Sequence, residues 1–132
     1  MAKYEHLPIY KQAMELTVFI ETVVRGFPRY HKYALGTRLR EKSWEIIGLI
    51  VKANNTPVKQ RRPLLLNLRD GIEELNVALT VAREVKAFQN FNSYRHAARM
   101  GVDLSRQSEG WLKGAAAASS PESYPASKGT GP

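Results

Sequence analysis

The chain contains no cysteine. This absence removes disulfides, thiolate metal sites and cysteine nucleophiles together, and it fits a reducing compartment. Long apolar runs are also missing. No stretch approaches the ~20 residues that a membrane-spanning helix needs, and the opening MAKYEHLPIYKQ has no apolar segment of the signal-peptide kind. The expectation is a soluble cytoplasmic protein without a membrane partner. The usual marks of catalysis are scarce. His6, His31 and His96 fall in three different segments, and none forms the i, i+3 or i, i+4 pair that sets two ligands on one helix face. None of Glu41, Glu45, Glu73 or Glu84 has a histidine three residues on, as a di-metal bundle requires. Glycine-rich phosphate loops, zinc fingers, helix-turn-helix patterns and aromatic ribonucleoprotein signatures are absent too. The sequence therefore predicts no enzyme, with no catalytic, cofactor-binding or metal-ligating residues, and no base-specific reading.

Acid is scarce in one region. The net charge is +8 over 132 residues, but it is unevenly spread. From Arg25 to Arg69 there are eleven Lys/Arg and two acids, whereas the rest of the chain holds nine Lys/Arg and ten acids. A concentrated excess of this kind attracts polyanions through counterion release, although charge can also serve dispersal alone.

At this length the chain is one domain with enough material for a core. Four segments carry helical periodicity. The first, about 7–24, repeats Ile9, Ala13, Leu16, Ile20, Val23 and Phe27 at three- and four-residue steps. Gly26, in a left-handed cap, and Pro28 are expected to end it. The second, about 30–53, has a stripe of Leu35, Leu39, Ile46, Ile50 and Ala53. The third begins near Lys59 or Pro63 and reaches about Phe88, with the seam Leu65, Leu68, Ile72, Leu75, Leu79 and Ala82. The fourth, about 93–118, lines up Tyr94, Ala97, Gly101, Leu104, Ser108 and Trp111 behind Asn92 or Ser93 as N-cap. Short connections between long amphipathic helices predict an all-α, antiparallel up-down-up-down four-helix bundle over 1–118. The Pro-, Gly- and Ser-containing stretch 119–132 reads as a disordered tail.

The second helix has a further apolar set, Tyr33, Trp44, Ile47 and Val51, roughly opposite its core stripe, with Arg40 among them. A monomeric bundle needs only one apolar face. The second face is expected to meet another subunit, unless the first or fourth helix wraps round to cover it. Lys42 reads as a snorkelling side chain at the edge of the core stripe, and Arg38, Glu41, Lys42 and Glu45 as ion pairs along the helix surface.

The basic excess centres on the stretch GFPRYHKYALGTRLRE, residues 26–41. Its cations, with their neighbours, offer phosphate contacts at Arg25, Arg29, Lys32, Arg38, Arg40, Arg61, Arg62 and Arg95, spread along much of the bundle's length. Tyr30 and Tyr33 are able to stack bases, but aromatics beside proline usually pack, so they are expected to brace the elbow.

Phe27-Pro28, Tyr30, Tyr33, Leu35-Gly36 and Arg38-Leu39-Arg40 resemble the signature of a family of small four-helix-bundle proteins. One branch is the accessory variability determinant (Avd) of diversity-generating retroelements; a sister branch is encoded in intervening sequences of bacterial 23S ribosomal RNA genes. Ala53-Asn54, the leucine seam and Gly110-Trp111-Leu112 extend the likeness over about residues 7–113. The resemblance implies a cytoplasmic bacterial, archaeal or phage-encoded homo-oligomer, a pentamer in the Avd branch. Such a protein binds RNA, DNA or RNA/DNA without sequence preference, partners a reverse transcriptase and supports error-prone cDNA synthesis without catalytic residues of its own. The alternative is a scaffold or interaction protein of the intervening-sequence type. The basic charge favours the Avd branch.

Overall fold

A computed structural model describes residues 3–119 of the chain. The described residues are helical, with no strand. After a 3-10 turn at Lys3–His6 come α1 (Pro8–Val24), the four-residue α2 (Arg29–Lys32), α3 (Leu35–Asn54), α4 (Arg62–Glu84) and α5 (Phe91–Ser119). Ser119 closes α5, and the rest of the expected tail lies outside the described residues.

Local chemistry accounts for the ends, and corrects several expected ones. Pro8 occupies the first turn of α1, where its missing N–H costs nothing. Gly26 does not take a left-handed φ; no glycine described here does. Instead α1 tightens into turn bonds, Gly26 N–H to Val23 O and Phe27 N–H to Val24 O at 3.0 Å each, before Pro28 stops it. The helix expected from Tyr30 onward is broken. Tyr33 sits at φ −95°, ψ 0°, closing α2, and α3 starts two residues later. The expected run to Phe88 stops at Glu84. Lys86, at φ 61°, is the one non-glycine residue described here in the left-handed region. It completes a Schellman closure, with Lys86 N–H bonded to Arg83 O at 3.0 Å and Ala87 N–H to Ala82 O at 2.9 Å. The N-terminal cap near α5 is Asn90 rather than Asn92 or Ser93: its Oδ1 accepts the Ser93 N–H at 2.8 Å.

The principal helix contacts are α1 with α3, α3 with α4, α4 with α5, and α1 with α5. Between α1 and α3, Glu21 meets Arg40 and Trp44 while Val24 approaches Gly36, so the sequences run in opposite order. A Cβ on Gly36 would lie 2.6 Å from Val24 Cγ1, and the two helices close at this point only because it is absent. Lys42 reaches Glu74 from α3 to α4. Asn76 Nδ2 on α4 donates to Gly101 O at 3.3 Å and Ser105 Oγ at 3.2 Å on α5. Leu16, Ile20, Leu39, Ile46, Ile50, Leu65, Leu68, Ile72, Leu75, Leu79 and Leu104 fill the centre. Each contributes up to about 1.5–3 kcal/mol by leaving water. Val24, not Val23, completes the α1 stripe, and Met100, Leu112 and Ala115 join the α5 face.

Candidate nucleic-acid interface

The elbow between α1 and α3 is held by one ring. Phe27 is buried and meets the Phe88 ring edge-on at 5.3 Å, and Phe88 in turn meets Tyr94 at 5.8 Å. Together with the approach of Gly26 to Gln89, these contacts fix the α4–α5 connection against the elbow. The expectation that Tyr30 and Tyr33 brace the turn is overturned: they are 86% and 72% exposed. Phe27 already occupies the apolar slot, and the short α2 that follows Pro28 turns both tyrosines outward. Tyr30 has one ring neighbour, His31, at 5.0 Å.

The structure divides the eight expected phosphate contacts. Arg25, Arg29, Lys32 and Arg62 form no ion pair or side-chain hydrogen bond with another described residue. Arg38 is likewise unpaired within 4 Å, although its charge reaches Glu74. Arg40 donates Nε to Glu21 Oε1 at 2.9 Å, and Arg95 donates to Asn92 Oδ1 at 3.3 Å. Arg61 is committed elsewhere. Its Nε and Nη2 donate to Thr56 O at 3.1 and 2.8 Å, its Nη2 also reaches Asn54 O at 3.3 Å, and its guanidinium lies 5.8 Å from the Trp111 ring centre. It caps the end of α3. Of the expected ion pairs along α3, Lys42–Glu45 forms and Arg38 joins none, and Lys42 adds a bridge to α4. Lys42 is no simple snorkelling side chain: it binds Glu45 at 2.8 Å and Glu74 on α4. Its hydrogen bonds to the carboxylates of Glu45 and then Glu74 hold its ammonium above the ordinary lysine value. Arg25, Arg29, Lys32, Arg38, Arg40 and Arg95 gather toward the elbow end, with Arg40 on the α1 side of α3 and Arg38 on the α4 side. Arg61 and Arg62 lie at the other end.

Within the elbow, an open cleft of about 240 Å³ is lined by Glu21, Arg25, Lys32, Tyr33, Thr37 and Arg40. Three cations face one carboxylate there. Burial pushes the Glu21 carboxyl up, but hydrogen bonds from Trp44 and Arg40 and the charges of Arg40 and Arg25 outweigh it and hold the carboxyl below its ordinary value. Glu21 therefore stays ionised and fixes Arg40, while Arg25 and Lys32 keep their donors free. The volume is under the roughly 300 Å³ at which enclosed small-molecule sites begin. Sequence reasoning missed Glu21 and Thr37. The cleft joins α1 to the α2–α3 turn, and no local pattern announces such a pairing.

The second apolar set is not one surface. Tyr33 lies in the turn before α3 and lines the basic cleft. Ile47 packs against the core, Val51 is half-buried, and Trp44 is 64% exposed with its Nε1 donating to Glu21 Oε2 at 3.2 Å. On α1, Met14 and Val18, two turns and one turn before Glu21, are also exposed. No helix among the described residues is long and apolar enough to cross a membrane, and no three of their His, Asp and Glu side chains converge as a metal site. No family model matches the chain, and no curated protein matches it either.

Proposed function

We propose that this chain is a non-catalytic accessory protein of the Avd type. In this reading it is an up-down-up-down bundle that binds nucleic acid and a reverse transcriptase and supports error-prone cDNA synthesis in a diversity-generating retroelement. The observation that carries the reading is the set of unpaired cations around residues 25–38, within the same stretch whose residues resemble the family signature. Cations bound to neighbouring acids have little left for phosphate; Arg25, Arg29, Lys32 and Arg38 are not so bound. Trp44, with Met14 and Val18 exposed on the adjoining helix, supports assembly of several copies, a pentamer on the family resemblance. The same apolar patch favours a second reading, a scaffold that binds other proteins and no RNA.

The test is binding of the purified protein to single-stranded RNA and to duplex DNA across a salt series, with mass measured by light scattering in the same samples. The proposal expects an oligomer whose affinity falls steeply with salt. It also expects Arg29→Glu with Lys32→Glu to weaken binding and cDNA synthesis by the partner polymerase while helicity is kept. A protein that binds no RNA at low salt establishes the scaffold reading instead.

A further inference from the structure

The two basic ends of the molecule differ in one respect that charge alone does not reveal. Among the described residues, the end carrying Lys59 and Arg62 has no exposed aromatic ring beside its cations, and Trp111 there is half-buried under Arg61. The elbow end presents Tyr30, Tyr33 and, across the α4–α5 connection, Phe91 at 60% exposure. Tyr33 lines the cleft with Arg25 and Lys32, and Tyr30 follows Arg29 on α2. Tyr33, 72% exposed, packs against no other ring among the described residues, and Phe27 braces the turn without it.

Resting on the nucleic-acid reading above, we propose that the elbow cleft is a seat for one unpaired nucleotide of a single strand. The phosphate lies between Arg25 and Lys32, and the base stacks on Tyr33. The Glu21 carboxylate anchors Arg40, which also lines the cleft, through Nε at 2.9 Å. A duplex keeps its bases stacked inside and has no ring to offer Tyr33, so the arrangement selects unpaired strand. Tyr33 accordingly serves nucleic acid rather than the contact between subunits.

The experiment is fluorescence anisotropy with a labelled oligouridylate and a duplex of equal length, on the full chain, with melting curves for every variant. Tyr33→Ala is expected to weaken the single strand about tenfold and to leave the duplex nearly unchanged, and Tyr33→Phe to keep wild-type affinity. Arg25→Gln with Lys32→Gln is expected to lower the salt slope on the single strand by about 1.4. Lys59→Gln with Arg62→Gln, at the far end, serves as the comparison. If the wild type binds strand but Tyr33→Ala binds equally well, or only the far-end pair loses affinity, the seat is refuted while the accessory-protein reading stands. If the wild type binds neither nucleic acid, both fall.

Discussion

Replacing Arg61 tests whether a basic residue in this chain works on the protein or on a ligand. Its guanidinium makes three bonds to the carbonyls of Asn54 and Thr56 and lies over Trp111. Removing it in Arg61→Ala strips those carbonyls at the end of α3 of their charged donor. The side chain is only partly buried, so water replaces some of what is lost. The bonds then contribute about 1–2 kcal/mol, and the ring contact about 0.5 kcal/mol more. The expected loss is about 2 kcal/mol, which for a chain of this size lowers Tm by roughly 8 °C. Arg61→Lys recovers little, because an ammonium cannot fork between two carbonyls. Arg62→Ala, exposed and unpaired next door, is expected to melt within about 1 °C of wild type. Thermal denaturation followed by circular dichroism, with RNA affinity measured on the same samples, checks both. If Arg61→Ala melts like wild type yet loses RNA affinity, Arg61 is a phosphate contact and the capping argument is wrong.

Three further outcomes follow from particular contacts. A Cβ on Gly101 would collide with the Asn76 amide, 3.0 Å from Cγ and closer still to Oδ1. Gly101→Ala is therefore expected to cost about 1–3 kcal/mol, and markedly less in an Asn76→Ala background; strictly additive losses in a double-mutant cycle would contradict this coupling. Lys86 holds a left-handed φ that costs a non-glycine residue about 1 kcal/mol, so Lys86→Gly is expected to raise Tm by about 4 °C, and an unchanged Tm would show that the strain is absent. Glu21 titrates lower in the folded chain than its ordinary value of 4.5. The stability it contributes is thus fully present above that value and disappears as pH falls through the lowered one. Glu21→Gln is expected to melt below wild type at pH 7, with the gap closing as pH falls below the ordinary value of 4.5 and through the lowered one; a gap that persists in acid would mean that the carboxylate charge is not its origin.

The helices were legible because burial follows period. Leu65, Leu68, Ile72, Leu75, Leu79 and Ala82 are all buried as the spacing predicts, and Leu39, Ile46, Ile50 and Ala53 match their stripe. The misses cluster where backbone geometry overrides pattern. The valine and lysine after Glu84 fit a continuing helix, yet the left-handed Lys86 ends it. Tyr33 falls on a helical wheel with Trp44 only if the helix runs unbroken through 33 and 34, and it does not. Which tyrosines pack was also hidden, since proximity to Pro28 says only that some ring is buried; the contact with Phe88 selects Phe27.

Partner geometry, rather than composition, separates the cations into kinds. Along the helices, acids on neighbouring helices are within reach: Glu21 takes Arg40 and Glu74 takes Lys42. At the end of α3, the peptide carbonyls themselves take Arg61. In the elbow one carboxylate, Glu21, faces three cations and is already bonded to Arg40 and Trp44. From Arg25 to Arg40 the sequence holds no acid, and the short α2 leaves Arg29 and Tyr30 exposed. A cluster that the fold neither neutralises nor uses carries self-repulsion that an acid nearby would relieve. On the proposed function, its presence beside the exposed Tyr30 and Tyr33 is accounted for by an external polyanion with unpaired bases. Dispersal in water, the other use of net charge, needs neither the clustering nor the rings.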